Sequence, residues 1–267
     1  MGRDGGEHTL SRGMKIATWN VNSVRARLPR VLDWLETARP DIVLLQELKC
    51  LDEQFPREPI ADLGYNIETF GQKTYNGVAI LAKSRIEDVR RGMPGEAENA
   101  QRRVIAAQVE DLLLIDAYVV NGEAVGSEKY AYKLEWLARL AEYMASFDMK
   151  EKVVLAGDFN VTFDDRDVYD PEAWREKILC STPERNALAK VMEPGLHDAF
   201  RKFTQEGGHY TWWDFRTRGF ERKQGLRIDH FLMSQPALDA CTAVEIDTPA
   251  RGGEKPSDHA PVVATLG

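Results

Sequence analysis

Short apolar runs that end in polar residues recur along the chain, and they predict strands delivering polar side chains at their carboxyl ends. Lys15 to Trp19 alternates into a strand, while Asp41 to Leu45 and Val153 to Ala156 are nearly continuous apolar runs of the kind that fill a sheet core. Gly64 to Phe70 and Gly77 to Ala82 flank the turn signal Tyr75-Asn76-Gly77, and Val104 to Val109 pairs back with Leu112 to Val119. Gly225 to Phe231 and Val262 to Leu266 complete the strands. Helical spacing appears at Leu28, Val31, Leu32 and Leu35, with Ser23 as the expected cap. It appears again over Lys129 to Met149, with Leu134, Leu137, Leu140 and Tyr143 inward, and over Pro183 to Val191. Residues 84–100 are charged and carry Gly92, Pro94 and Gly95, which predicts a surface loop. Asp164-Asp165-Arg166-Asp167 lacks the spacing, glycine and closing Glu of a calcium loop and is expected to be solvated. A helix between apolar strands implies packed α/β layers. A weak internal echo, strand then Asn20-x-Asn22 and strand then Asp158-x-Asn160, predicts two similar halves facing one another.

Together the strand ends supply Asn20, Asn22, Glu47, Tyr118, Asp158, Asn160, Asp229, Asp258 and His259. In extended backbone, residues two apart point the same way, so Asp158 and Asn160 are expected to project together while Phe159 packs behind. Taken singly, each of these residues is an ordinary turn or strand-end residue.

Composition narrows the field. The chain has 267 residues, 43% hydrophobic, enough for a large core, and no apolar run long enough to span a bilayer. Residues 1–13 are polar and glycine-rich without an apolar signal region and read as a disordered arm, with one catalytic domain over 14–267. Cys50, Cys180 and Cys241 are scattered and odd in number, which points to reduced thiols in a cytoplasmic protein rather than to zinc or disulfides. The net charge of −8 opposes nucleic-acid binding unless the basic residues share one face; it also fits carboxylates that hold a divalent cation. Arg25, Arg27, Arg102 or Arg103, and the run Arg216, Arg218, Arg222, Lys223 and Arg227 are the basic residues expected there. Trp213 and Phe215 are expected in the core, His230 in packing, and His8, His197 and His209 as bystanders.

Spacing and neighbours then converge. Trp19-Asn20-Val21-Asn22, Leu45-Gln46-Glu47-Leu48-Lys49, Tyr75-Asn76-Gly77, Gly157-Asp158-Phe159-Asn160, Gly225-Leu226-Arg227-Ile228-Asp229 and Ser257-Asp258-His259-Ala260-Pro261 occur in order from Met14 onward. They closely resemble the exonuclease III family of bacterial abasic-site endonucleases, within the superfamily of endonucleases, exonucleases and phosphatases. The resemblance implies a four-layer αββα sandwich, two mixed sheets face to face with helices outside. It implies Mg²⁺-dependent hydrolysis of the phosphodiester 5′ to abasic sites in duplex DNA, with 3′–5′ exonuclease or 3′-end-trimming activity; Mn²⁺ is expected to substitute, and a monomer is expected. By this resemblance Glu47 and Asp258 are expected at the metal, with Asn22 standing where other members carry an acid. Asp158 is expected to orient or deprotonate the attacking water, Asn160 and Asn20 to hold it and the phosphate, and His259, paired with Asp229, to stabilise charge. Tyr118 is expected at the phosphate or leaving group. Trp212, Leu226 and Ile228 match a pocket for an extrahelical abasic sugar, and Arg102, Arg103 and Arg216 the phosphate track. Two rivals share the fold: a phosphatase of a small or lipid substrate, and a DNA-binding module without catalysis.

Overall fold

In the computed structural model, which describes residues 13–267, the apolar runs pair into two six-stranded mixed sheets. In chain order the strands are β1 (Met14–Asn20), β2 (Ile42–Gln46), β3 (Asn66–Phe70), β4 (Val78–Ala82), β5 (Ile86–Arg91), β6 (Val104–Val109) and β7 (Leu112–Tyr118). They continue with β8 (Lys152–Asp158), β9 (Leu196–Asp198), β10 (Trp212–Trp213), β11 (Gly225–Leu226), β12 (Asp229–Ser234), β13 (Cys241–Ile246) and β14 (Val262–Leu266). One sheet runs β13-β14-β1-β2-β4-β3 and the other β5-β6-β7-β8-β12-β9. Each sheet has one parallel pair at its centre, β1 with β2 and β7 with β8, so four carboxyl ends open at one edge of the sandwich. This is the architecture the repeated strand pattern predicts.

Three apolar layers hold it. Ile16, Leu44, Ile80, Ile105, Leu114, Val154 and Phe231 meet between the sheets. Trp136, Leu137 and Leu140 of the helix Glu128–Ala145 and Leu188 of the helix Thr182–Met192 cover one outer face with Val153, Leu155 and Phe159. Val31, Trp34 and Leu35 of the helix Leu28–Ala38 cover the other. A fully buried side chain of this size contributes about 1.5–3 kcal/mol of transfer free energy, so the layers, not the few exposed ion pairs, set the stability. Gly157 serves the site directly. A Cβ there would lie 1.9 Å from the carbonyl oxygen of Ala117, so only glycine lets β8 run against β7 into Asp158.

Several expectations change. Residues 84–100 are not all loop: Ile86–Arg91 forms an edge strand, paired on one side, with a bulge between Glu87 and Arg90. Charge on an edge strand is how proteins discourage further pairing, and it hides the period-2 signal. Ser23 does not cap the helix. It sits at φ 81° and accepts from the Ala26 amide, while the helix begins at Leu28 after Arg27, with Pro29 in its first turn. The long helix ends at Ala145, short of Met149. The Gly225–Phe231 run splits into β11, which pairs with β10, and β12. The expected arm lies outside the described residues, apart from Gly13, and so does His8.

Candidate active site at the shared sheet edge

Asn20 ends β1, Tyr118 ends β7 and Asp158 ends β8, while Asp229 opens β12 directly opposite Asp158. The segment before β14 brings in Asp258 and His259. The two sheets meet here through side chains: Asn20 Nδ2 donates to Asp158 Oδ2 at 2.9 Å. Asp158 Oδ1 accepts the Asn160 amide at 2.9 Å, and Asn160 Nδ2 donates to the Val119 carbonyl at 3.0 Å. His259 Nδ1 donates to Asp229 Oδ2 at 2.8 Å, and His259 Nε2 stands 3.6 Å from Asp158 Oδ2.

The expected same-side projection of Asp158 and Asn160 is not a strand property. Asn160 has φ 49° and Asn22 has φ 45°, so both strands end before these residues. A left-handed asparagine turn returns each backbone amide to the preceding side chain, Asn160 to Asp158 and Asn22 to Asn20. The Asn160 side chain itself bonds the Val119 carbonyl and Asn121, so it is its backbone amide that reaches the Asp158 carboxylate.

The electrostatics separate two roles. Burial raises the Asp158 carboxyl, His259 and hydrogen bonds from Asn20 and Asn160 lower it, and the balance stands at about 7. Burial disfavours charge on His259, but the carboxylates of Asp229 and Asp158 outweigh it and lift the imidazole to about 10. At neutral pH the histidine therefore holds its proton. Tyr118 is pushed up by burial and by the carboxylates of Glu47 and Asp158, so it stays a phenol.

Glu47, Asn22 and Asp258 join through Lys49. Its ammonium lies 3.0 Å from Glu47 Oε1 and donates to Asn22 Oδ1 at 2.7 Å, while Asn22 Nδ2 donates to Asp258 Oδ1 at 3.0 Å. The three offer only oxygen acceptors, and an amine already sits where they attract a cation, so they fit a hard divalent ion. Asp158, Asp229 and His259 also present ligand atoms within 4.8 Å of one another. That trio fits a metal less well, because His259 spends Nδ1 on Asp229 and stays protonated.

Arg103 is buried, its guanidinium 4.7 Å from the centre of the Tyr118 ring, and its Nη1 donates to the Tyr118 carbonyl at 3.1 Å. Arg102 instead donates to the Gly71 carbonyl at 2.6 Å and pairs with Asp52 at 3.6 Å. Arg103 and the exposed Arg216 line one cavity of about 610 Å³ with Tyr75, Asn76 and Lys129. Trp212 is half-buried and its Nε1 donates to Asp258 Oδ2 at 3.0 Å. Leu226 and Ile228 are sealed at 0% and 1% exposure among Val168, Leu179 and Cys180. Phe215, expected in the core, is 42% exposed; Trp213 is buried as expected.

Arg227 corrects the basic-face expectation. It is 1% exposed, paired with Asp167 and Asp198 at 2.7 Å each, and lies over the rings of Phe163 and Phe200. Asp167, expected in solvent, is its buried partner and is held below the usual carboxylate range: burial works against that, but the Arg227 guanidinium prevails. His230 packs as expected, with Nε2 at 2.8 Å from the Val161 carbonyl.

Sequence reasoning missed the second layer. Thr211 Oγ1 accepts the amides of Ile228 and Asp229, fixing the entry to β12. Ser257 Oγ donates to the Asn20 carbonyl at 2.6 Å and accepts the His259 amide. Lys133, expected only as a helix residue, is fully buried and donates to the carbonyls of Asn160 and Asn121 and to Glu184. A lysine among the apolar positions of a helix was the one available signal.

Comparison with known proteins agrees with this arrangement. The profile of the endonuclease/exonuclease/phosphatase family matches residues 17–259. Exodeoxyribonuclease III of Haemophilus influenzae is 37% identical over 264 residues, covering 94% of this chain and 99% of its own. Among solved structures, a 3′ phosphatase from Neisseria bound to a product DNA hairpin superposes with TM-score 0.93 at 46% identity, covering 95% of this chain and 99% of its own. An AP endonuclease from Archaeoglobus fulgidus gives TM-score 0.91 at 37% identity over the same shares.

Proposed function

The chain belongs to the endonuclease/exonuclease/phosphatase family, and from that premise we propose a DNA-repair nuclease that hydrolyses phosphodiesters of duplex DNA with Mg²⁺. Its substrates are abasic sites, cut on the 5′ side, and 3′ ends. The observation that carries the reading is the linkage Asn20–Asp158–His259–Asp229 across the edge of both sheets.

Phosphodiester hydrolysis needs a water in line with the leaving oxygen and positive charge on the phosphate oxygens. Asp158 takes the proton of that water, since its carboxyl titrates near 7 and a general base works best near the operating pH. Asn20 and the Asn160 amide fix the two carboxylate oxygens, so the base does not swing away. His259 keeps its proton and places positive charge on a phosphate oxygen, oriented by Asp229 through Nδ1. Tyr118, held as a phenol beneath Arg103, donates to the phosphate or leaving oxygen. Glu47, Asp258 and Asn22 would hold Mg²⁺, which when bound supplies further charge stabilisation at the phosphate; Mn²⁺ is expected to substitute. Half-buried Trp212, with Leu226 and Ile228 packed behind it, stands where an abasic sugar would enter, and Arg103 and Arg216 hold the strand. Residues 14–267 act as one monomeric catalytic domain in the cytoplasm, on nucleoid DNA. Three buried, unpaired cysteines accord with a reducing compartment.

A specific observation favours a second emphasis. Leu226 and Ile228 are sealed rather than open, so an abasic sugar must displace packed side chains, whereas a 3′ terminus needs no such pocket. The likeness to a Neisseria 3′ phosphatase supports the same emphasis. One assay decides: labelled duplexes with an internal abasic analogue, a recessed 3′ end or a 3′ phosphate, with Mg²⁺ and with chelator, for wild type and Asp158→Asn. Mg²⁺-dependent processing lost in Asp158→Asn is expected. Full activity in chelator, or hydrolysis only of inositol phosphates, would overturn the reading, and binding without cleavage would leave a DNA-binding module.

A further inference from the structure

Arg251 is a buried cation without an acceptor. It closes the turn Thr248–Arg251 and is 6% exposed, yet among the described residues its side chain makes no hydrogen bond and no ion pair, and its Nε is buried and unpartnered. The other buried cations of this region differ: Arg103, Lys133 and Arg227 all donate to carbonyl, amide or carboxylate oxygens. Two aromatic rings hold Arg251 instead, with the guanidinium carbon 4.8 Å from the centre of Phe215 and 4.9 Å from that of Phe220. Stacking satisfies the faces of a guanidinium but leaves its in-plane N–H donors free. A buried charge left unpaired is costly, and the arrangement persists where a ligand supplies the missing oxygens.

Arg251 lies in the wall of a cavity of about 430 Å³ that Phe215, Arg218, Phe220, Glu221 and Pro256 also line. Arg218 is exposed and adds a second guanidinium, while Glu221 offsets one of the two charges, leaving the cavity net positive. Its walls continue into the site. Phe215 and Phe220 lie on the loop that leaves Trp212, Pro256 precedes Asp258 by two residues, and Trp212 and Asp258 are hydrogen-bonded to each other. We propose that Arg251 and Arg218 form a second phosphate subsite, which takes a non-scissile backbone phosphodiester of the bound DNA. A planar guanidinium binds phosphate oxygens in a two-pronged fashion, and the two rings fix that plane in advance. The proposal rests on the reading of duplex DNA as substrate.

The test is duplex binding by fluorescence anisotropy for wild type, Arg251→Met and Arg218→Gln, with single neutral methylphosphonates walked along each strand. At one position, outside the scissile phosphate, the neutral link should weaken wild-type binding by about tenfold, the scale of a hydrogen-bonded charge, and leave both variants nearly unaffected. Each variant should also lower the slope of log affinity against log salt by about 0.9. Position dependence assigns the anion to the DNA strand rather than to free phosphate. Arg218→Gln is an exposed change that keeps the test open if Arg251→Met folds poorly. If the variants feel every methylphosphonate as wild type does, the subsite is wrong. If wild type does not bind duplex at all, the functional reading fails instead.

Discussion

The ammonium of Lys133 donates to the backbone carbonyl of Asn160 at 2.6 Å, deep beneath the residue whose amide holds Asp158. It donates also to the Asn121 carbonyl at 3.1 Å and to Glu184, which satisfies all three of its protons. Glu184 in turn accepts the amides of Leu179 and Ser181 and the Ser181 hydroxyl. One buried ion pair thus ties the helices Glu128–Ala145 and Thr182–Met192 to the loops after β7 and β8. Removing one partner of such a pair costs about 3–5 kcal/mol, because the other charge stays buried. Lys133→Met is therefore expected to lower stability by that amount in denaturant titration. Lys133→Met with Glu184→Gln should recover part of it. Turnover on DNA should fall in both, with duplex binding less affected; additive stability losses would show that the two do not act as a pair.

If Asp158 is the base, as proposed, acid should limit activity through it. Its carboxyl stands at about 7, so below that pH the base is protonated and cannot take a proton from water. Activity, measured as kcat/KM at saturating Mg²⁺, should rise tenfold per pH unit up to about 7. It should then hold while His259 keeps its proton and fall near 10, where the imidazole neutralises. A profile flat from pH 5 to 8 would remove Asp158 from the role of base.

The fold was legible because each core strand is a short apolar run with a turn signal after it, and the parallel pairs β1–β2 and β7–β8 repeat one pattern. The convergence of Asn20, Asp158, Asp229 and His259 was legible from motifs, although the reason given for Asp158 and Asn160 was not the physical one. A left-handed turn at Asn160, not strand pleating, brings it back to Asp158. Period-2 reasoning has no means of seeing a single residue cross to positive φ. The edge strand β5 was lost because its exposed charges carry no apolar period. Arg227 was misplaced because adjacency in sequence to Arg222 and Lys223 suggests a patch, while its carboxylate partners, Asp167 and Asp198, lie far along the chain.

Arg227 accordingly belongs to the core rather than to DNA. Its substitution by Lys keeps the charge but loses the fork that serves Asp167 and Asp198 together. Arg227→Lys should cost stability on the order of 3 kcal/mol, read as a lower denaturant midpoint. The salt dependence of duplex binding by the folded fraction should not change. A salt slope lowered by about 0.9 would instead put this guanidinium on a phosphate.

On the proposed reading, Lys49 would compete with a metal held by Glu47 and Asn22. Its ammonium occupies their oxygens at 3.0 and 2.7 Å, so a divalent ion must push it aside or accept its repulsion. An ammonium and a divalent ion about 4 Å apart repel by about 8 kcal/mol at an effective dielectric of 20. Lys49 is half-exposed and on a flexible stem, so it relieves most of that by moving into water. A remainder near 1.4 kcal/mol corresponds to about tenfold in affinity. Lys49→Met should therefore bind Mn²⁺ about tenfold more tightly, measured by electron paramagnetic resonance without DNA. Glu47→Gln should weaken binding, because it removes a carboxylate and leaves the ammonium to hold Asn22. The double variant should fall between the two. Unchanged Mn²⁺ affinity in both single variants would place the cation elsewhere, with the trio Asp158, Asp229 and His259 as the next set to vary.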